Sequence, residues 1–173
     1  MTAAADPRRG AAAAVAFFAA LAVPPPAAAQ EAPAVPPAGA APLLDVVADG
    51  VQVYACEVRD AGPVWVFRGP EAALFDDAGR QVGTHGAGPH WRLADGSATR
   101  GAVAVNAPAP RPGAIPWLLL RAAPEASPGC LRETAWIRRY ETDGGAAPAG
   151  RCEPGEAARM RYSARYTFYA APR

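Results

Sequence analysis

Hydrophobic and polar residues alternate with a period of two in several segments after Gly50. The segment Gly50–Arg59 (GVQVYACEVR) carries valine and alanine on one face and glutamine, tyrosine and cysteine on the other. Arg161–Ala170 alternates in the same way, with Tyr162, Tyr166 and Phe168 sharing one face. This period is typical of β-strands, whose successive side chains point to opposite faces of a sheet.

Further extended segments are separated by turns rich in Gly, Pro and Asp. Asp60–Pro63 and Asp95–Gly96 predict hairpin turns. Ile115–Arg121 is almost continuously apolar, which favours a strand buried on both faces. No segment has the 3.6-residue period of an amphipathic helix. We therefore predict an all-β fold, an antiparallel β-sandwich or flattened barrel of about eight or nine short strands.

The N-terminal region has the features of an export signal. Two arginines precede an apolar run at 11–23, and Ala27–Ala29 supplies the small residues of a cleavage site. We predict that residues 1–29 are a cleaved signal peptide and not an uncleaved anchor, because three prolines directly after the apolar run would break any helix there. Residues 30–42, rich in Ala and Pro, predict a flexible linker. Residues 43–173 then form a single domain.

The charge balance argues against a nucleic-acid partner. All 17 basic residues are arginines, and 16 residues are acidic. Removal of residues 1–29 would leave 15 of each and a net charge of zero, whereas nucleic-acid binding needs a basic surface. We expect an exported protein, periplasmic or extracellular, with no stable membrane span after cleavage.

The chain has three cysteines, Cys56, Cys130 and Cys152. In an oxidising compartment two of them are expected to pair, which leaves one thiol over. The residues themselves leave all three pairings open.

The segment GTHGAGPHWRLADGS at 83–97 concentrates polar side chains in a conformationally demanding turn. Two histidines, a tryptophan and an aspartate lie there among glycines and a proline. We predict a ligand-binding pocket near His85, Gly88, Trp91 and Asp95. Its partner would be a small molecule or an envelope glycan.

Aromatic side chains beside arginines suit stacking on sugars or flat organic molecules. We expect Trp117 in the core and Trp91 at a pocket or on the surface. Arg138 and Arg139 lie on opposite faces of one predicted strand, so one of them should point inward and need a partner. We include Arg138 among the candidate ligand-binding residues.

Two enzymatic interpretations centre on His85. With His90 and Asp95 it would supply ligands suited to a metal ion. Alternatively, His85 is a general base oriented by Asp76 or Asp95, as in a hydrolase. No Gly-x-Ser-x-Gly nucleophile motif is present, and we expect neither a resident metal nor a cofactor.

A series of motifs, each weak alone, occurs in a characteristic order and resembles the family of secreted bacterial and fungal proteins known as DUF3455. The resemblance covers about residues 43–171. Its motifs are GVQVYAC at 50–56, W-x-F at 65–67, P-E-A-x-L-F-D at 70–76, G-x-H-x-A-G-P-x-W at 83–91, DGS at 95–97, IPWLLL at 115–120, I-x-R-x-x-T-x-G-G-x-A-P at 137–148 and Y-S-A-x-Y-x-F-Y at 162–169.

The resemblance implies an exported domain of unknown function and a disulfide between Cys56 and Cys152. Cys130 would then be a buried free thiol or an intermolecular handle. Gly86 and His90 depart from the family pattern, where tyrosine and threonine are common.

From the residues and this resemblance we expect a non-catalytic binding module of the cell envelope or extracellular space. The alternatives are the hydrolase or metal-dependent enzyme centred on His85, and an interaction protein that acts through an exposed strand edge.

Overall fold

The computed structural model describes residues 34–125 and 128–173. The predicted signal peptide and the first residues of the linker lie outside these ranges. Eight strands and one short helix make up the domain. They are β1 (Pro42–Arg59), β2 (Gly62–Phe75), β3 (Gln81–Gly86), β4 (His90–Leu93), β5 (Ala98–Ala107), β6 (Trp117–Pro124), a 3₁₀ helix (Cys130–Glu133), β7 (Thr134–Gly144) and β8 (Ala157–Ala170).

The strands form one closed antiparallel barrel. Each strand pairs with the next along the chain, and β8 pairs back with β1 over 13 residue pairs. The predicted all-β fold is confirmed, and of its two forms the barrel is the one observed. The strands are less uniformly short than expected, since β1 has 18 residues and β2 and β8 have 14 each.

In the described sheet every strand has two neighbours, but β2 pairs with β3 only over residues 72–75 and β5 pairs with β4 only over residues 98–100. The open-end segments of β2 and β5 therefore keep one unpaired edge each, and the edge-mediated interaction considered above stays a prediction. None of the helical structure in the described ranges is long and apolar enough to cross a membrane.

The period-two alternation decides which side chains enter the barrel. Tyr162, Ala164, Tyr166 and Phe168 of β8 are all buried, as their shared face predicts. In β1 the inward face is the one that carries glutamine, tyrosine and cysteine. The core cluster consists of Val46, Ala48, Leu74, Trp91, Leu93, Ile115, Leu118, Leu120, Leu131, Ile137, Tyr162, Ala164, Tyr166 and Phe168.

Strand β6 is buried on both faces, because Leu118, Leu119 and Leu120 are all covered. Trp117, however, is not a core residue. It is half-buried outside the core cluster, with Tyr140 edge-on at 6.3 Å between ring centroids.

One end of the barrel is sealed by the 3₁₀ helix. We call this the closed end; it also carries the β2–β3 and β4–β5 turns. Leu131 of the helix is completely buried and packs into the core cluster. The helix is held by the β4–β5 turn: the Cys130 amide donates to Asp95 Oδ2 at 2.8 Å, and the Leu131 amide donates to Ser97 Oγ at 3.3 Å.

The opposite end, here the open end, carries the β1–β2 and β3–β4 turns and the β5–β6 and β7–β8 loops. The disulfide Cys56–Cys152 fastens the β7–β8 loop to β1 there. Backbone hydrogen bonds join Cys56 to Gly155 at 3.3 Å and to Glu156 at 2.8 Å. The pairing implied by the family resemblance is thus confirmed. Cys130 is free and exposed, so the expectation of a buried thiol was wrong.

We predict that Cys56→Ala/Cys152→Ala lowers the free energy of unfolding by about 4–5 kcal/mol, because the disulfide links residues 96 positions apart and restricts the unfolded chain. Urea denaturation under oxidising conditions measures the loss. Cys130→Ala is the matched control and should leave the unfolding midpoint unchanged. Equal midpoints for the double variant and the wild type would contradict the prediction.

Candidate functional site

A cavity of about 320 Å³ lies inside the barrel next to the open end. We call it the barrel cavity. Its inner wall is made by core residues, and two apolar side chains at its mouth, Phe67 and Val103, are half exposed. Among the inner wall residues are Leu118, Leu120, Trp91 and Tyr166.

Three aromatic rings form one side of the barrel cavity. His85 and Trp91 stand directly opposite each other on the β3–β4 hairpin, and both point inward. Their rings are stacked, with centroids 4.4 Å apart and an interplanar angle of 5°. Tyr166 of β8 presents its ring at a steep angle to both, with centroids 5.1 Å from His85 and 5.5 Å from Trp91. The hairpin thus delivers a rigid, flat aromatic surface.

His85 is an uncharged imidazole at neutral pH. Burial lowers its pKa from 6.5 to about 4, and the charge of Arg139 acts in the same direction, against the opposing effect of the bond to His90. Its Nδ1 lies 3.0 Å from the backbone carbonyl of His90, an oxygen that can only accept. Nδ1 therefore carries the proton, and Nε2 is left as a hydrogen-bond acceptor.

Arg139 of β7 brings a positive charge to the barrel cavity. Its Nε donates to the Pro116 carbonyl at 2.9 Å, which holds the side chain against the β5–β6 loop. None of the ion pairs between described side chains includes Arg139. Burial raises the pKa of Tyr166 and of Tyr54, and the Arg139 charge partly opposes both shifts.

Three wall residues carry a buried polar atom without a hydrogen-bond partner: Gln52 Nε2, Trp91 Nε1 and the Tyr166 hydroxyl. Burial raises the pKa of both Tyr162 and Tyr166, and Arg139 is near enough to oppose both shifts, but neither phenol makes a hydrogen bond of normal geometry. Unpaired buried polar groups are costly in a folded protein. These three atoms are almost inaccessible, so a bound molecule would pair them only after a small rotation of their side chains.

The β7–β8 loop approaches this wall closely at Gly145. Its φ of +82° lies in the left-handed region, and a Cβ there would come within 2.8 Å of Tyr162 Cβ and 3.0 Å of Gln52 Cγ. Only glycine combines this conformation with this proximity. The hydrogen bond from the Tyr54 hydroxyl to the Gly145 carbonyl, at 2.8 Å, holds the loop in place.

The structure brings together two of the five residues proposed from the sequence, His85 and Trp91. Gly88 lies in the exposed β3–β4 turn with a φ of +81° and does not line the cavity. Asp95 lies at the closed end, where it holds the 3₁₀ helix. Arg138 does not line the barrel cavity either; its Nε donates to the Ala34 carbonyl at 2.9 Å.

Arg138 lies on the outer surface because successive side chains of β7 point alternately into and out of the barrel. Its guanidinium lies 4.3 Å from the ring centroid of Tyr140 and 5.8 Å from that of Trp117. The inward-pointing member of the arginine pair is Arg139. Its observed partner is the Pro116 carbonyl and not the acidic side chain that was to be expected for an inward-pointing, partly buried cation.

The catalytic arrangements considered for His85 are not formed by the described residues. Asp76 and Asp95 both lie at the closed end, where each accepts hydrogen bonds within its own turn. His90 points out of the barrel, with Nε2 3.3 Å from the Glu125 carboxylate, so the two imidazoles do not converge. No group of three or more His, Cys, Asp or Glu side chains in the described ranges is placed to hold a metal ion.

Sequence reasoning missed Gln52, Arg139 and Tyr166 as residues of the site. The alternation pattern had assigned each of them to a face of its strand, but for Gln52 and Arg139 it did not say which face is inward. A polar residue on such a face was the available signal, and Gln52 and Arg139 both carry it.

Comparison with known proteins identifies one family. The model of the family described as "Protein of unknown function (DUF3455)" matches residues 37–170, a range that contains all eight strands. The resemblance inferred from the motifs is thereby confirmed. No curated protein and no solved structure matches the chain.

We predict that Asp95→Ala destabilises the closed end by about 1 kcal/mol, since the carboxylate binds the Ser97 and Cys130 amides from a largely exposed position. The Ser97 hydroxyl also donates to this carboxylate, and this bond, followed by the two amide bonds, lowers the pKa of Asp95. Urea denaturation and amide exchange at residues 130–133 measure the effect. Asp77→Ala, at another exposed aspartate of that end, is the control. Unchanged exchange in Asp95→Ala would disprove this role.

We predict that His85 makes the protein less stable as the pH falls from 6.5 to about 4. The unfolded state takes up a proton in that window and the folded state does not, so folding loses about 3 kcal/mol from this residue. His85→Gln should flatten the dependence of unfolding free energy on pH. His90→Gln keeps the carbonyl that His85 binds and should not flatten it. Parallel profiles for His85→Gln and the wild type would refute the assignment.

Proposed function

The chain belongs to the DUF3455 family, whose description names no activity, and from the geometry of the barrel we propose that the protein binds a small, planar, largely apolar molecule in the barrel cavity without transforming it. The observation that carries this proposal is a cavity, open at one end, whose wall combines flat aromatic rings with unpaired polar atoms. A wall of this kind is typical of sites for small organic ligands.

The size of the barrel supports this role. An eight-stranded barrel is just wide enough either to fill with its own side chains or to hold one small ligand. Here the closed half is filled, with Leu131 as its plug, while the open half keeps about 320 Å³. That volume is at the lower end of the range of about 300–1,000 Å³ for ligand pockets. We therefore favour a small molecule over an envelope glycan.

The open end is held in a defined shape before any ligand arrives. The disulfide, the Tyr54–Gly145 hydrogen bond and the hydrogen bond from Thr142 Oγ1 to the Ile115 carbonyl at 2.7 Å join its loops. A preformed site loses less conformational entropy on binding. Binding without catalysis also agrees with His85, whose described contacts include no carboxylate that would raise its basicity.

We infer that the protein acts outside the cytoplasm, in the periplasm or the extracellular space. The disulfide supports this location, because such bonds persist in oxidising compartments. The signal peptide predicted for residues 1–29 would supply the route.

We predict that Val103→Trp weakens binding of the neutral, planar, two-ring fluorescent probe 1-aminonaphthalene at least tenfold, because the larger side chain obstructs the mouth. Val103 is 54% exposed, so the change should not affect folding. Val64→Trp is the matched control: Val64 is 40% exposed on β2 and does not line the barrel cavity. It should bind the probe as the wild type does.

Fluorescence titration measures both affinities. Equal affinities for Val103→Trp and Val64→Trp would place the probe elsewhere on the protein. A wild type that does not bind the probe would count against the proposed function as a whole.

A further inference from the structure

We propose that the ligand of the barrel cavity is an organic anion, a planar aromatic carboxylic acid of one or two rings, whose carboxylate pairs with Arg139. This inference rests on the proposed function and narrows it to a chemical class. It would make Arg139 the residue that selects acids over neutral molecules of the same shape.

Arg139 lacks a counter-charge. Many exposed arginines of the barrel pair with carboxylates, as Arg159 does with Glu71 at 2.5 Å, and Arg121 and Arg138 lie over aromatic rings instead. Arg139 faces an apolar cavity and has no ion pair among the described side chains. A partly desolvated cation without a counter-charge is costly. A bound carboxylate would supply this counter-charge, since its single negative charge matches the single positive charge of Arg139.

Hydrogen-bond donors outnumber acceptors among the polar side-chain atoms around the barrel cavity. The terminal nitrogens of Arg139, Gln52 Nε2 and Trp91 Nε1 can only donate, and the latter two are unpaired. The Tyr166 hydroxyl stays protonated at neutral pH, since burial raises its pKa, and it can donate as well. His85 Nε2 is a hydrogen-bond acceptor on this wall, because the proton of the neutral imidazole is on Nδ1. A donor-rich wall is complementary to a carboxylate, which only accepts and favours guanidinium in a bidentate pair.

The remaining wall of the barrel cavity is flat on one side and largely apolar. The stacked pair of His85 and Trp91 offers a flat face, and leucines and the mouth residues make the rest largely apolar. Flat rings pack well against such a face. A volume of about 320 Å³ limits the ligand to one or two rings. A phosphate ester would bring more charge than this single arginine matches.

The test compares two probes of equal shape, 2-naphthoate and its neutral amide 2-naphthamide, by isothermal titration calorimetry at pH 7. We expect the wild type to bind the naphthoate at least tenfold more tightly than the amide. Arg139→Gln should bind both probes with about the same affinity, because the loss is much larger for the naphthoate than for the amide. Arg138→Gln removes the neighbouring outward arginine and should keep the wild-type preference.

Arg139→Lys provides a second variant if Arg139→Gln does not fold, which circular dichroism will show. Lysine keeps the charge but cannot form the bidentate pair. It should therefore bind naphthoate more weakly than the wild type and still prefer it to the amide.

The failures of the two proposals are distinguishable. If the wild type binds both probes equally well, the ligand is not selected as an acid, and the binding function stands. If Arg139→Gln or Arg138→Gln behaves opposite to expectation, the charge does not come from Arg139. If none of 2-naphthoate, 2-naphthamide and 1-aminonaphthalene binds, both proposals are overturned.

Discussion

The pairing of β8 with β1 is the constraint on which the rest of the structure depends. Once the sheet closes, each strand has an inside and an outside, and every inward side chain must share one narrow interior. Neighbouring residues such as Arg138 and Arg139 are thereby sent to different environments. Closure also satisfies most of the backbone groups that an open sheet would expose at its edges, except beside the short β3–β4 hairpin.

The two ends of the barrel are stabilised in different ways. At the closed end, Leu131 fills the interior, and Asp95 and Ser97 bind the backbone of the helix that carries it. At the open end, a disulfide and hydrogen bonds between loops maintain the shape around an empty volume. The aspartate of the histidine-rich segment thus stabilises the fold, while the histidine at the other end of the same short hairpin reaches the cavity. A strand of four residues, β4, separates these two roles.

The chemistry of the cavity is unusual for a region whose only task is stability. Apolar side chains would fill the space with less cost than an arginine without a counter-charge and a glutamine and a tyrosine that each carry an unpaired polar atom. The neutral imidazole of His85 adds an acceptor to this wall and a flat surface beside Trp91. Such a set of groups would stabilise a bound molecule better than it stabilises the protein alone, which is the physical basis of the proposed binding function.

Local patterns in the sequence determined the strands, the inward face of β8 and the turn at Asp95–Gly96, because period-two alternation and turn chemistry act between near neighbours. They also defined two faces around Arg138 and Arg139. Only the tertiary structure decided that the sheet closes as a barrel, that Arg139 is the inward member, and that Asp95 lies far from His85. Those outcomes depend on pairing between residues distant in sequence, such as Val46 with Tyr166, which no local pattern encodes.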